Sequence, residues 1–332
     1  MTTSSCSITI VFNRAHHASR ERSAPGWDFS YNRGEMMAPR KLKPYVKPPL
    51  TYTEQLDLLR GRGLIISNED SAIEFLKSVN YYRFSGYRLT FRVDTKSERF
   101  QSGVTFEQVR GLYEFDQKLR HILMSILETV EISVRTRVAY ELGHRYGPLG
   151  YKLSKNFTNA AYHAKFMCDL HKAIQRGDEI FITHHESRYA GRYPIWVAVE
   201  LLSFGSVSQL FQNMIPNDQK LIANYYGVPP EYLRTWIHTA VYLRNVCAHH
   251  KRLYNKPLKV APKRGRRWRE VPHNGLLIAF LALREICPNS ALWTEFVTQL
   301  NALIVQYTAS LDLAKMGFTS DWLYLLQTGR RG

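Results

Sequence analysis

Between Thr105 and Pro148 the chain has no proline, and apolar residues recur at steps of three and four: Leu112, Phe115, Leu119, Ile122, Leu123, Ile126, Val130, Val134 and Val138. That is the helical period. Thr105-Phe-Glu-Gln108 is a capping box, in which two side chains satisfy two orphan backbone amides reciprocally. The spacing predicts a single helix of about 35 residues, roughly 50 Å long at 1.5 Å per residue. A helix of that length is the spine of a bundle, because only several neighbours laid along it can bury its apolar stripe.

The flanking segments are helical as well. Pro48 and Pro49 give an extended entry. Thr51 or Thr53 caps a helix from Glu54 to about Arg62, closed by Gly61 or Gly63. Asn68 starts a second helix with Ile73, Leu76 and Val79 inward, followed by an aromatic cluster at residues 81–87 and a polar loop at 92–104. Residues 158–187 carry one or two helices. Pro194 precedes another, with Trp196, Val199 and Leu202 inward. Ser206-Val-Ser-Gln209, after a break at Gly205, reads as a second capping box. Pro229-Pro230 opens a helix whose apolar positions are Leu233, Trp236, Ile237, Ala240, Leu243 and Cys247. Two more helices, at 274–287 and 290–314, close the chain. The only strand pattern is a weak one at residues 8–12. The expected class is all-α: an N-terminal helical part at 41–104 and a helical bundle at 105–325, without internal repeats.

The first 40 residues lack this periodicity and are expected to be disordered, or not translated at all, since Met36 or Met37 can serve as the start. The longest apolar stretch, residues 275–283, falls far short of the roughly 20 residues a membrane span needs. No membrane association is expected. Cys6, Cys168, Cys247 and Cys287 form no Cys-x-x-Cys pair, which argues against zinc ribbons, redox motifs and disulfide frameworks and fits a reducing cytoplasm.

Charge is concentrated. The formal net charge is +17, and residues 251–269 hold nine basic side chains and no acidic one. A local block of that kind points to a polyanion; the alternative is a solvated, disordered run without a ligand.

Chemistry concentrates just before that block, in Leu243-Arg-Asn-Val-Cys-Ala-His-His-Lys-Arg-Leu-Tyr-Asn255. On a helix advancing 100° per residue from Leu233, Arg244 falls near about 20°, inside the apolar stripe, and Asn245 and His249 share a face at about 120° and 160°. A buried arginine needs a carboxylate partner. Glu131 and Glu200, each in an otherwise apolar run, are the candidates. A purely structural account also fits: Arg244 braces the bundle, and His249 and His250 sit at a helix C-terminus, where the dipole favours cations. His249 and His250 point about 100° apart on a helix, so no metal site is expected. No nucleophile elbow or phosphate-binding glycine pattern is present.

Arg244-Asn245, then three residues, then His249 resembles the Arg-x(4–6)-His motif of HEPN ribonucleases. More closely, residues 244–255 resemble the signature of the Abi family, abortive-infection proteins of the AbiD/AbiF type. Further segments resemble that family in order: Lys47-Pro-Pro-Leu-Thr51, Asn80-Tyr-Tyr-Arg-Phe-Ser-Gly-Tyr87, Glu131-Ile-x-x-Arg135 and Pro194-Ile-Trp-Val-Ala-Val-Glu-Leu-Leu-Ser-Phe-Gly205. The resemblance implies a HEPN-like bundle and a phage-defence toxin: a homodimeric, metal-independent endoribonuclease without cofactors, restrained in some members by a companion small RNA.

The residues suit that chemistry, since attack by a substrate 2′-OH needs a base, an acid and a cation at the phosphate. His249 is the expected acid/base, Arg244 stabilises the phosphorane or orients the histidine, Asn245 positions the phosphate and His250 is an assisting or structural residue. Lys251, Arg252, Lys263, Arg264, Arg266, Arg267, Trp268 and Arg269, with Tyr254, are expected to grip RNA and stack its bases. The other reading is a non-catalytic RNA-binding module on the same fold.

Overall fold

Thr51 caps the first helix, α1 (Tyr52–Gly61), by the reciprocal exchange with Glu54 that defines a capping box. Asn68 caps α2 (Glu69–Ser78) by accepting from Ser71 N at 2.9 Å, and Asn80 caps the short α3 (Tyr81–Ser85) by accepting from Tyr82 N at 2.8 Å. The computed structural model of the protein describes residues 47–94 and 97–328. The segment expected to be disordered, with the alternative starts Met36 and Met37, lies outside the described residues.

The spine is α4 (Phe106–Tyr146), 41 residues with the Thr105/Gln108 capping box at its start. It is longer than the apolar repeat alone implies, running on until Gly147 takes φ +76° ahead of Pro148. Its residues Leu112, Phe115, Leu119, Leu123, Ile126, Leu127, Val130, Val134 and Val138 are fully buried. Around it come α5 (Ala160–Arg176), α6 (Ile180–Tyr189), α7 (Ile195–Leu201), α8 (Phe204–Asn213), α9 (Pro216–Tyr226), α10 (Pro230–Ala248), α11 (Leu276–Ile286), α12 (Ser290–Gln306) and α13 (Trp322–Thr328). Helices α7 to α12 all pack on α4. Among the described residues there are isolated bridges but no strands, so the fold is an all-α bundle. The N-terminal helices join it through a ring cluster: Phe75 packs edge-on against Phe84, Phe106 and Tyr113. No helix among the described residues is long and apolar enough to cross a membrane. The apolar stretch near 275–283 is instead α11, buried on every side from Leu276 to Leu283.

Four sequence expectations need correction. The cap of α8 is Ser203, which accepts from Ser206 N at 3.1 Å, so Gly205 lies inside the helix rather than at a break. Trp196 points outward, 55 % exposed, while Ile195, Ala198 and Val199 carry the buried face of α7. Helix α12 ends at Gln306 and gives way to 3-10 turns at Thr308–Ser310 and Leu313–Met316. The closing helix α13 has only seven residues, too short for its period to be read.

Candidate active site

Helix α10 begins at Pro230, where a missing N–H costs nothing. Leu233, Ile237, Ala240 and Leu243 are fully buried against the bundle. Arg244 stands in that stripe as its spacing requires, yet its side chain is 40 % exposed. A long side chain can start from an apolar stripe and still bring its guanidinium to the rim. There its Nε sits 3.3 Å from Glu131 Oε2. Glu131 is only 12 % exposed and is also bonded to Arg135, one turn on along α4, which in turn donates to the Val199 carbonyl. The second candidate carboxylate, Glu200, faces solvent on the outer side of α7 and takes no part in this group.

Asn245 is exposed beside Arg244, with its Oδ1 3.5 Å from Arg244 Nη1. His249 is exposed and stands just beyond the helix as its C-cap, its N–H donating to Asn245 O at 3.1 Å. It is therefore not on a continuing helix. His250 N donates to Cys247 O and Lys251 N to Val246 O, the paired bonds of a Schellman close. The left-handed position of that close is His250, φ +52°, where glycine is usual. The helical projection of His249 against His250 therefore does not apply. Arg244, Asn245, His249 and His250 nevertheless cluster at one exposed helix end.

The basic segment is neither a disordered run nor an open aromatic grip. It is a strap that turns back along α10. Lys263 N donates to Thr235 Oγ1 and Trp236 Nε1 to Lys263 O, both at 2.9 Å. Trp268 is 5 % exposed and packs on Trp236, with ring centroids 5.7 Å apart. Tyr254 is fully buried and donates to Asp312 O at 3.1 Å. Neither ring can stack on a base in this arrangement. Arg264 donates to the carbonyls of Arg269 and Val271, and Arg267 pairs with Glu285 at 2.7 Å. Lys263 lies 4.9 Å over the Tyr232 ring. Lys251, Lys259, Arg266 and Arg269 remain exposed, while Arg252 is half-buried. Trp268 is thus a core residue rather than an RNA contact, because an indole closing over Trp236 gains more from burial than from exposure.

Sequence reasoning passed over Asp116. It is completely buried on α4 and accepts from four donors: Leu253 N at 3.1 Å, Tyr254 N at 2.8 Å, Tyr87 Oη at 2.7 Å and Arg120. Burial raises its carboxyl above the ordinary range, and those donors oppose the rise. An aspartate four residues before an arginine, inside an apolar run, was the available signal. Its place in an apolar run is what singled out Glu131. Cys247, beneath the site, has its thiol pushed up to about 12 by burial. Among the described residues no three His, Cys, Asp or Glu side chains gather as a metal site requires.

No curated protein and no solved structure matches the chain. A family model described as Abi-like protein matches residues 74–255, from within α2 to the last residue of the helix-end segment. That span exceeds half the sequence and takes in the spine, α10 and every residue bonded to Asp116. The chain belongs to the Abi-like protein family.

Proposed function

We propose that the protein is an abortive-infection toxin of HEPN type that cleaves RNA without a metal ion. The observation that carries this reading is the exposed end of α10, where Arg244, Asn245 and His249 stand together and Glu131 braces the arginine. His249 exchanges the proton with the 2′-OH or the leaving 5′-oxygen, Arg244 offsets charge on the phosphorane, and Asn245 orients the phosphate. Membership of the Abi-like family supports a role in phage defence. The protein then works in the cytoplasm, held in check by a companion small RNA.

One helix end offers few groups, so two copies are proposed to face each other as a homodimer. Exposed apolar side chains along one face of the C-terminal half of α4 support this: Ile132 and Tyr140, with Trp196 of α7 lying against Gly143. Such a face suits a twofold contact. The exposed cations Lys251, Lys259, Arg266 and Arg269 supply a track for the RNA backbone.

The test is cleavage of a structured RNA with EDTA present. Wild-type protein should leave a 2′,3′-cyclic phosphate, and His249→Ala should leave the RNA intact at unchanged thermal stability. Activity that EDTA stops and zinc restores, with a 5′-phosphate product, contradicts the mechanism. RNA binding without cleavage favours the non-catalytic module.

A further inference from the structure

His250 occupies a left-handed backbone position that is strained for a residue with a side chain, so something must hold it. The paired bonds to Cys247 and Val246 hold it locally, and a further hold comes from far away in sequence. Arg83, exposed on α3, donates from Nη1 to the His250 carbonyl at 2.6 Å. In the other direction Arg252 donates from Nη1 to the carbonyl of Gly86, just past the end of α3. Each arginine thus seizes a main-chain carbonyl of the other's segment.

The clasp is continuous with the core. The Arg252 guanidinium lies 6.0 Å over the Tyr87 ring, and the Tyr87 hydroxyl donates to Asp116, which also takes the amides of Leu253 and Tyr254. Arg120 reaches the Lys251 carbonyl at 3.4 Å, and Asn255 reaches Thr90 at 3.3 Å. Residues 250 to 255 are therefore bonded at nearly every position to α3, to its exit or to α4.

We propose that Arg83 is a positioning residue, which holds the His249–His250 turn in place through the His250 carbonyl. As a statement about activity it rests on the ribonuclease reading of the α10 end. As a statement about the turn it does not. The side chain is exposed, so its loss removes that bond at little cost in packing. Free of that bond, the left-handed turn relaxes and His249, which stands at its start, loses its fixed place at the end of α10. Geometry at a reacting centre is then lost while affinity for the RNA backbone is kept.

The experiment compares wild type with Arg83→Ala, Arg83→Lys and Tyr82→Ala. Tyr82 is the neighbouring side chain, 85 % exposed, and it controls for loosening of α3 as a whole. Amide hydrogen exchange at His250 and Lys251, read on the free protein, should rise about tenfold or more in Arg83→Ala and stay near wild type in Tyr82→Ala. With RNA, kcat should fall by about tenfold or more in Arg83→Ala with KM within about twofold, and Arg83→Lys should recover much of it. Unchanged exchange in Arg83→Ala overturns the proposal. So does a kcat loss that Tyr82→Ala reproduces or Arg83→Lys fails to relieve. A wild type that does not cut RNA, with exchange still rising in Arg83→Ala, overturns the ribonuclease reading and leaves the positioning of the turn standing.

Discussion

Tyr254 donates its main-chain N–H to Asp116 at 2.8 Å across 138 positions of sequence. That bond ties the segment after α10 to the buried centre of the spine. Replacing Asp116 by alanine leaves Arg120, the Tyr87 hydroxyl and two strap amides without this acceptor, a loss of about 3–5 kcal/mol. The melting temperature should fall by on the order of 10 °C. Calorimetry decides the point, and a shift of no more than about 2 °C would mean that the carboxylate contributes little.

Glu131 and Arg244 make different demands on stability. Glu131 holds two arginines at once, so Glu131→Gln should cost about 2–3 kcal/mol. Arg244→Ala leaves Glu131 its bond to Arg135, and the Arg244 head is well exposed, so its cost should stay near 1 kcal/mol or below. Both variants should lose RNA cleavage. Urea denaturation separates them, and equal midpoints would show that the Arg135 bond does not compensate.

These two pairs also show how far the sequence could be read. The Arg244–Glu131 pair was legible because a charge at a core position of a periodic helix announces that it needs a partner. Glu200 gave the same signal and proved false, since it lies one helical turn after Trp196 and shares the outward face of α7 with it. Caps, the spine and α10 were legible because their causes are local. The His250 turn was not. Ala248-His249-His250-Lys251 contains neither glycine nor proline, and the groups that hold the segment beyond its own closing bonds are Arg83, Asp116 and Arg120, all distant in sequence. Trp268 was misplaced because its neighbours are charged, while its partner Trp236 lies a full strap away.

Cys247 should resist thiol reagents. With its thiol raised to about 12, roughly one molecule in ten thousand carries the thiolate at pH 8. In a Cys6→Ser background, Cys168, which is exposed, should label first and Cys247 only on unfolding. Rapid labelling of Cys247 in the folded protein, read by peptide mass, would show that the base of the site opens.

The basic strap should divide into two kinds of residue. Arg266→Glu with Arg269→Glu should weaken RNA binding for every sequence and lower the salt slope by about 2. Trp268→Ala should cost about 3–5 kcal/mol of stability, and Trp268→Phe should leave RNA affinity in place. Binding isotherms at several salt concentrations give both readings. A large affinity loss in Trp268→Phe would show that the ring leaves the core to meet RNA.

Helix α4 acts as a gauge block for the segment it faces. Glu131 and Asp116 lie fifteen residues apart on it, about 22 Å along the axis. The chain that must reach from one to the other runs from Arg244 to Leu253, nine residues, which as helix would cover only about 14 Å. A helix carried on past Ala248 would fall short of Asp116, and the chain leaves it instead through the left-handed turn at His250. The end of α10 is thus a matter of distance rather than of a breaker residue, and it places the two histidines at the step where coil must give way to reach. Adding one residue between His249 and Leu253 slackens that span, and removing one draws the break back toward Arg244. The length of this short segment is as much a part of the site as its side chains.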